Sequence, residues 1–170
     1  MRIDVLTLFP GMFSGVFSES MLKRGLEKGA IDIHLCDFRQ YAEGRHQKVD
    51  DTPYGGGPGM VLKCEPVFKA VRALEADGKG PAHLVMLTPQ GRPLTQAVVK
   101  ELAAKPRLVL LCGHYEGFDE RIRQGFAWDQ ISVGDYVLTG GEPAAMVLSD
   151  AVARLIPGVL GDETSHADES

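Results

Sequence analysis

The stretch RLVLLCGHYEGFDERI (residues 107–122) decides the fold class. Its first half is an almost unbroken apolar run, which is typical of a parallel strand that is covered on both faces. The run ends at Cys112, and a Gly-His-Tyr-Glu-Gly loop follows at once. In an open parallel sheet, ligands bind beyond the carboxyl ends of the strands. This loop is therefore either a turn or one wall of a binding site.

Apolar runs alternate with helical patterns along the chain. Strands are predicted at residues 3–9, 31–38, 83–88 and 107–113. Helices with an apolar stripe are predicted at residues 65–78, 94–104 and 143–155. Such alternation is typical of right-handed βαβ units. We therefore expect an α/β fold in which helices flank a mostly parallel sheet.

The bulk composition indicates an ordinary globular domain. The 170 residues are 44% hydrophobic and 24% charged, which suits one domain with a sizeable core. The formal net charge of −5 argues against a protein that coats nucleic acid without specificity. No apolar run is long enough for a membrane span, and the N-terminus resembles a strand more than a signal peptide. We expect a cytoplasmic protein without a membrane partner.

Glycine-rich loops recur along the sequence. The first, DDTPYGGGPGM (residues 50–60), lacks the ending of a phosphate-binding loop and has no hydrophobic strand before it, so a structural turn and a binding loop fit it equally. Two others, LTPQGRP (residues 87–93) and SVGDYVLTGGEP (residues 132–143), follow apolar segments, as CGHYEG does. If these three loops meet at one edge of the sheet, their main-chain groups form a pocket for a ligand.

Five motifs make the chain similar to a known family. VDDTPYGGGPGM, LTPQGR, CGHYEGFDERI, SVGDYVLTGGE and ARLIPGVLG together resemble the bacterial tRNA (guanine-N1)-methyltransferases of the SPOUT superfamily. The resemblance implies transfer of a methyl group from S-adenosylmethionine to N1 of the guanine 3′ of the anticodon in tRNA. It also implies a C-terminal trefoil knot and an obligate homodimer. Mg²⁺ is a second cofactor that the resemblance suggests, although the sequence has no metal-ligand spacing.

The resemblance also implies a domain organisation. Residues 1–160 correspond to the family's S-adenosylmethionine-binding methyltransferase domain. Residues 161–170 correspond to a flexible linker, and the C-terminal domain that helps to grip tRNA is absent after Ser170. A module that binds a ligand or dimerises without turnover is the alternative, because such a piece can bind cofactor and still fail to grip tRNA.

The cofactor contacts of the family fall on the three loops that the residues themselves single out. By resemblance these contacts are Leu87, Thr88, Pro89, Gly113, Tyr115, Glu116, Gly117, Ser132, Val133, Gly134, Asp135, Tyr136, Val137, Leu138, Gly140 and Gly141.

Methylation of guanine N1 requires loss of its proton while negative charge develops toward O6, which calls for a base and a cation. The resemblance assigns the cation to Arg154; the alternative is an i,i+4 pair with Asp150 on the last helix. Strict register assigns the base to Glu169, where the family carries Asp, and the neighbouring Asp168 is the second candidate. A third interpretation makes both of them linker charges. Glu116 either binds the target guanine or caps a turn.

A basic segment precedes the first glycine-rich loop. Once the resemblance is accepted, its side chains become candidate tRNA phosphate contacts, and the loop after it adds two more residues. The predicted substrate-binding residues are Arg39, Arg45, His46, Lys48, Tyr54 and Gly55. Without the resemblance, a solvated loop explains so short a charge cluster.

Overall fold

The fold is taken from a computed structural model, which describes residues 1–53 and 55–160. Tyr54 and the predicted linker at residues 161–170 lie outside the described residues, and so do Asp168 and Glu169. Among the described residues, no helix is long and apolar enough to cross a membrane.

Five parallel strands form the main sheet in the order β2-β1-β6-β5-β7. Their bounds are β1 Arg2–Thr7, β2 Asp32–Asp37, β5 His83–Pro93, β6 Arg107–Cys112 and β7 Asp129–Ser132. A separate antiparallel pair is formed by β3 (Asp50–Asp51) and β4 (Val61–Leu62). The predicted α/β class with a mostly parallel sheet is confirmed. The trefoil knot stays a prediction of the resemblance.

Within residues 1–53 and 55–160 the chain forms six α-helices. They are α1 Ser14–Phe17, α2 Ser20–Glu27, α3 Cys64–Glu75, α4 Gln96–Ala103, α5 Glu120–Gly125 and α6 Glu142–Ala153. Short 3-10 helices occupy Pro10–Phe13 and Phe38–Tyr41. The three predicted helices are confirmed as α3, α4 and α6, each shorter than its apolar pattern. Arg154, predicted inside the last helix, is instead its C-terminal cap.

Strand β6 is central, and all six of its residues are buried. Because neighbouring residues of a strand point to opposite faces, Leu108 and Leu110 pack with α4 and α6, whereas Val109 and Leu111 pack with α3 and α5. This double coverage explains why its sequence is continuously apolar rather than alternating.

The prediction that a strand ends at Thr88 is wrong. β5 continues to Pro93, because the chain bulges out at residues 88–91 and then pairs with β7 again. Leu87 and Arg92 both face Ile131 across this interruption. The apolar run stops at the bulge, so hydrophobicity alone does not reveal the second pairing.

A buried ion cluster stabilises the amino ends of β1 and β6. The Asp4 side chain is fully buried and accepts a 2.8 Å hydrogen bond from Arg107 Nε, whose side chain is 2% exposed. Arg2 donates to the same carboxylate at 2.9 Å, and Arg107 also pairs with Asp77 at 2.8 Å. A buried carboxylate is tolerated only when charged donors replace its lost hydration.

We expect Arg107→Ala to lower the free energy of unfolding by about 3 kcal/mol, because it leaves Asp4 buried with only Arg2 to compensate it. The matched control is Lys105→Ala at an exposed position two residues earlier, which we expect to change stability by less than about 0.5 kcal/mol. Urea unfolding measures both. Equal stability of the two variants contradicts the assigned role of the cluster.

Candidate active site

Three loops at the carboxyl edge of the sheet surround one open cavity of about 220 Å³. They are the bulge loop (residues 88–91), the central loop that follows β6 (residues 113–117) and the glycine loop that follows β7 (residues 133–141). They meet because β6, β5 and β7 are adjacent parallel strands. Every predicted cofactor residue lines this cavity except Asp135.

The bulge loop lies directly on the main chain of β7. A side chain at Gly91 would collide with the backbone of Gln130 and Ile131, so this position admits only glycine. The close approach lets Arg92 re-enter the sheet and directs residues 88–90 toward the cavity.

The central loop has a strained conformation. Tyr115 has a φ of +61°, a region that bulky residues rarely occupy, and Gly117 has a φ of +118°. The end of the first glycine-rich loop supports this conformation, because the Glu116 N–H donates to Met60 O at 2.9 Å and the Leu62 N–H donates to Gly117 O at 3.0 Å. Strain of this kind is typical of ligand-binding segments, where the surrounding structure maintains it.

Glu116 lines the cavity, and the capping role belongs to another residue. Asp119 is the N-cap of α5 and accepts a 2.9 Å hydrogen bond from the Arg121 N–H. Hydrogen bonding from the Arg121 side chain also holds the pKa of Asp119 below its ordinary value, against the opposing effect of burial. The cap of α5 is therefore Asp119, and the role of Glu116 stays a prediction.

The glycine loop forms an apolar rim around the cavity. Val137 is 84% exposed and Tyr136 is 56% exposed, and both line the cavity. The loop is held from within, because Ser132 Oγ donates to Gly134 O at 2.8 Å and the Tyr136 hydroxyl donates to Val133 O at 3.2 Å. Apolar side chains that remain exposed beside a cavity are typical of a ligand-binding rim.

One main-chain contact fixes the glycine loop to the central loop. The Gly141 N–H donates to Gly113 O at 2.8 Å. A Cβ atom at position 141 would lie 2.7 Å from both Cys112 Cα and Gly113 N, closer than real Cβ atoms come to backbone. Glycine is thus required here for close approach, and the approach closes the cavity on one side.

A fully buried carboxylate stands behind this contact. Glu142 accepts a 2.6 Å hydrogen bond from Thr7 Oγ1, and its Oε2 lies 2.6 Å from His114 Nε2. Burial, and then the negative charge of Glu142, raise the pKa of the Cys112 thiol well above its ordinary value. No sequence pattern singles out Glu142, because its partner Thr7 is 135 residues away along the chain.

One residue of the basic segment, Arg39, acts electrostatically on Tyr115, which lines the cavity. Burial raises the pKa of the Tyr115 hydroxyl, the charge of Asp50 raises it further, and the charge of Arg39 lowers it. Arg39 is half-buried, whereas the other predicted substrate residues that the structure describes are exposed: Arg45, His46, Lys48 and Gly55. Tyr54 lies outside the described residues.

Arg154 lies at the opposite edge of the sheet. It caps α6, whose start at Glu142 adjoins the cavity, and the 12 residues of that helix rise roughly 18 Å. The preceding residue, Ala153, packs with Ile31 just before β2 begins, at the amino edge of the sheet. The main-chain N–H of Arg154 donates to Asp150 O at 3.1 Å. Arg154 does not line the cavity of its own chain.

Several residues that line the cavity were not predicted as site residues. They are Gln90, His114, Phe118, Arg123, Ile131, Thr139 and Ala144. Gln90 and Thr139 stand inside motifs already quoted, so membership of the same loop was the available signal. Arg123 comes from α5 and donates to Gln130 Oε1 at 2.7 Å, a contact that no sequence pattern indicates.

The described part of the chain contains no group of three His, Cys, Asp or Glu side chains that could hold a metal ion.

Comparison with known proteins gives the family. The family described as tRNA (guanine-1)-methyltransferase TrmD matches residues 1–170. The chain belongs to this family. A tRNA (guanine-N(1)-)-methyltransferase of Geobacillus kaustophilus is 61% identical over 170 residues, which are all of this chain and 69% of that protein. One from Chloroflexus aurantiacus is 56% identical over 172 residues, covering 99% of this chain and 68% of that protein.

A solved structure of the same family has the same fold. The crystal structure of a tRNA (m1G37) methyltransferase from Aquifex aeolicus superposes with a TM-score of 0.84 at 40% sequence identity. The match covers 95% of this chain and 72% of that one. The sheet order and helix placement described above are therefore those of a TrmD-family protein.

We expect Gly141→Ala to lower the free energy of unfolding by about 2 kcal/mol, because its Cβ must displace the main chain at Cys112 and Gly113. The matched control is Gly15→Ala on α1, where a Cβ meets no atom within 4 Å and stability should be unchanged or slightly higher. Thermal melting of both variants measures the difference. Equal melting temperatures contradict the close-approach argument.

Proposed function

We propose that this protein transfers a methyl group from S-adenosylmethionine to N1 of the guanine 3′ of the anticodon in tRNA. The observation that carries the proposal is the convergence of three loops on one cavity in a chain of the TrmD family. The proposal includes a C-terminal trefoil knot, a methyltransferase domain over residues 1–160 and a linker over residues 161–170. Because the substrate is tRNA, it also includes a cytoplasmic location.

The cavity suits the methyl donor. Its apolar rim of Tyr136, Val137 and Leu138 favours an aromatic base, and glycines in the central and glycine loops let main-chain donors and acceptors come close to the ligand. The cofactor contacts proposed are the predicted ones. Asp135 is the least supported of them, because it lies outside the cavity lining.

The remaining residues supply acid–base chemistry and binding. In this proposal Glu116 holds the target guanine in the cavity, and Arg154 stabilises the negative charge that develops on O6. Glu169, or Asp168 beside it, accepts the N1 proton. Arg39, Arg45, His46, Lys48, Tyr54 and Gly55 contact the tRNA. Mg²⁺ would act through the substrate or through these carboxylates.

The position of Arg154 supports a homodimer. Arg154 stands roughly one α6 length from the cavity of its own chain, farther than its side chain reaches. An isologous dimer in which two α6 helices run antiparallel puts the end of one helix beside the start of the other. Val147 is at the middle of α6 and is 52% exposed, as such a two-fold axis requires. Phe9, Met12 and Val16, in and beside the 3-10 turn that packs on α6, add exposed apolar surface.

Calorimetry with S-adenosylmethionine and with its demethylated product tests the proposal directly. We expect both to bind the wild-type protein, and Tyr136→Ala to weaken binding by about ten-fold because a stacked ring is lost from the rim. The control, Tyr41→Ala, changes an aromatic residue that is not in the cavity lining. No binding by the wild-type protein overturns the proposal, and binding without methyl transfer to tRNA supports a module without turnover.

Mixed dimers test the assignment of Arg154. We expect Arg154→Ala to bind the donor normally and to lose methyl transfer, and Gly140→Ala to lose transfer because its Cβ collides with His114 in the cavity wall. Refolded together, the two variants should regain about a quarter of wild-type activity, since half of the dimers then hold one complete site. Either variant refolded with itself is the control. An inactive mixture means that Arg154 does not serve the partner's cavity.

A further inference from the structure

Glu142 is a buried ionisable group beside the cavity that the proposed chemistry does not use. It does not line the cavity, and its side chain is completely buried at the first turn of α6. Glu142 opens α6, and two other elements reach it: Thr7 comes from the end of β1 and His114 from the central loop. A carboxylate in this position is costly unless every lone pair has a donor.

The hydrogen bonds around Glu142 have a defined donor and acceptor order that ends on its carboxylate. The Phe9 N–H donates to Thr7 Oγ1 at 2.9 Å, so the Thr7 hydroxyl proton is left for Glu142 Oε1 at 2.6 Å. The amino end of α6 adds a favourable dipole. With an ionised carboxylate, which only accepts, His114 must carry its proton on Nε2 to make the 2.6 Å contact with Oε2.

The pair of Glu142 and His114 is packed from two sides. A Cβ at Gly140 would collide with the His114 ring and lie 2.7 Å from Glu142 Oε2. On the other side the ring of Phe9 lies 4.7 Å from that of His114, centroid to centroid. His114 is 16% exposed and lines the cavity, and its main chain opens the strained turn at Tyr115. These neighbours restrict the orientation of the imidazole.

We propose that Glu142 is a positioning residue, which acts on the methyl donor through His114. The carboxylate fixes the tautomer and the orientation of the imidazole, and the imidazole anchors the central loop, whose main chain forms one wall of the cavity. This inference rests on the proposed function. It predicts that Glu142 governs donor affinity rather than the transfer step, because the groups it orients contact the donor before any charge develops on the guanine.

The isosteric variant Glu142→Gln tests this role. Its amide keeps the volume but offers donors as well as an acceptor, so the Nε2–H tautomer of His114 is no longer enforced. We expect KM for S-adenosylmethionine to rise by about ten-fold, the loss expected for one charge-assisted hydrogen bond, and kcat to stay within about two-fold. Nitrogen-15 NMR of the imidazole should show Nε2 protonated in the wild type and a mixture of tautomers in the variant.

A matched control and a double variant separate positioning from simple packing. Glu75→Gln makes the same change at an exposed position on α3 and should alter neither KM nor the His114 spectrum. Glu142→Gln combined with His114→Gln should raise KM no more than His114→Gln alone, because both act through one contact. Additive effects, or an unprotonated Nε2 in the wild type, overturn the inference.

These experiments distinguish failure of the proposed function from failure of the role of Glu142. If the wild-type protein binds no S-adenosylmethionine, the proposed function itself fails. If it binds, and Glu142→Gln has wild-type KM and an unchanged imidazole spectrum, only the role of Glu142 fails. If Glu142→Gln melts below the assay temperature, the test uses His114→Gln instead. An unchanged KM for S-adenosylmethionine in His114→Gln then overturns the inference.

Discussion

The site depends on the close approach of two main-chain segments, Gly141 against Cys112 and Gly113. Their separation leaves no room for a Cβ, and a 2.8 Å hydrogen bond joins them. This contact sets where α6 begins, and the start of α6 sets where Glu142 lies. Glu142 in turn bonds His114 and Thr7, so β1, β6 and α6 meet at one point. A shift at position 141 would therefore move both the cavity wall and the helix behind it.

Asp4 and Glu142, two carboxylates that are fully buried, show how the two edges of the sheet differ. Asp4, at the amino edge, is neutralised by Arg2 and Arg107, and its cluster contributes to stability. Glu142, at the carboxyl edge, contacts the hydroxyl of Thr7 and the imidazole of His114 instead. These partners compensate its charge less strongly than two guanidinium groups do, and their hydrogen bonds are more directional. A guanidinium keeps its charge and can bind a carboxylate through two hydrogen bonds, whereas an imidazole can gain or lose a proton near neutral pH. The division follows the general rule that ligands bind at the carboxyl edge of parallel strands.

The sequence predicts the structural elements that depend on local apolar patterns. The continuous apolar run predicts a buried strand at 107–113, which corresponds to β6, and the three glycine-bearing loops are predicted at one edge because parallel strands end together. The bulge in β5 was missed, since its second pairing is held by main-chain contacts at Gly91 that no hydrophobic pattern records. Glu142 was missed for a related reason: its partner Thr7 is 135 residues away.

The distance between Arg154 and the cavity of its own chain indicates what the proposed homodimer contributes. In one chain, helices already cover both faces of the central strand β6, and a large cluster of buried residues lies on each side of it. Some of the apolar side chains that stay exposed are on and beside α6, among them Val147, Phe9 and Met12, and this helix spans from the cavity edge to Arg154. A dimer formed there would bring together groups that the fold of one chain keeps apart. On this reasoning the proposed homodimer completes the chemistry of the site.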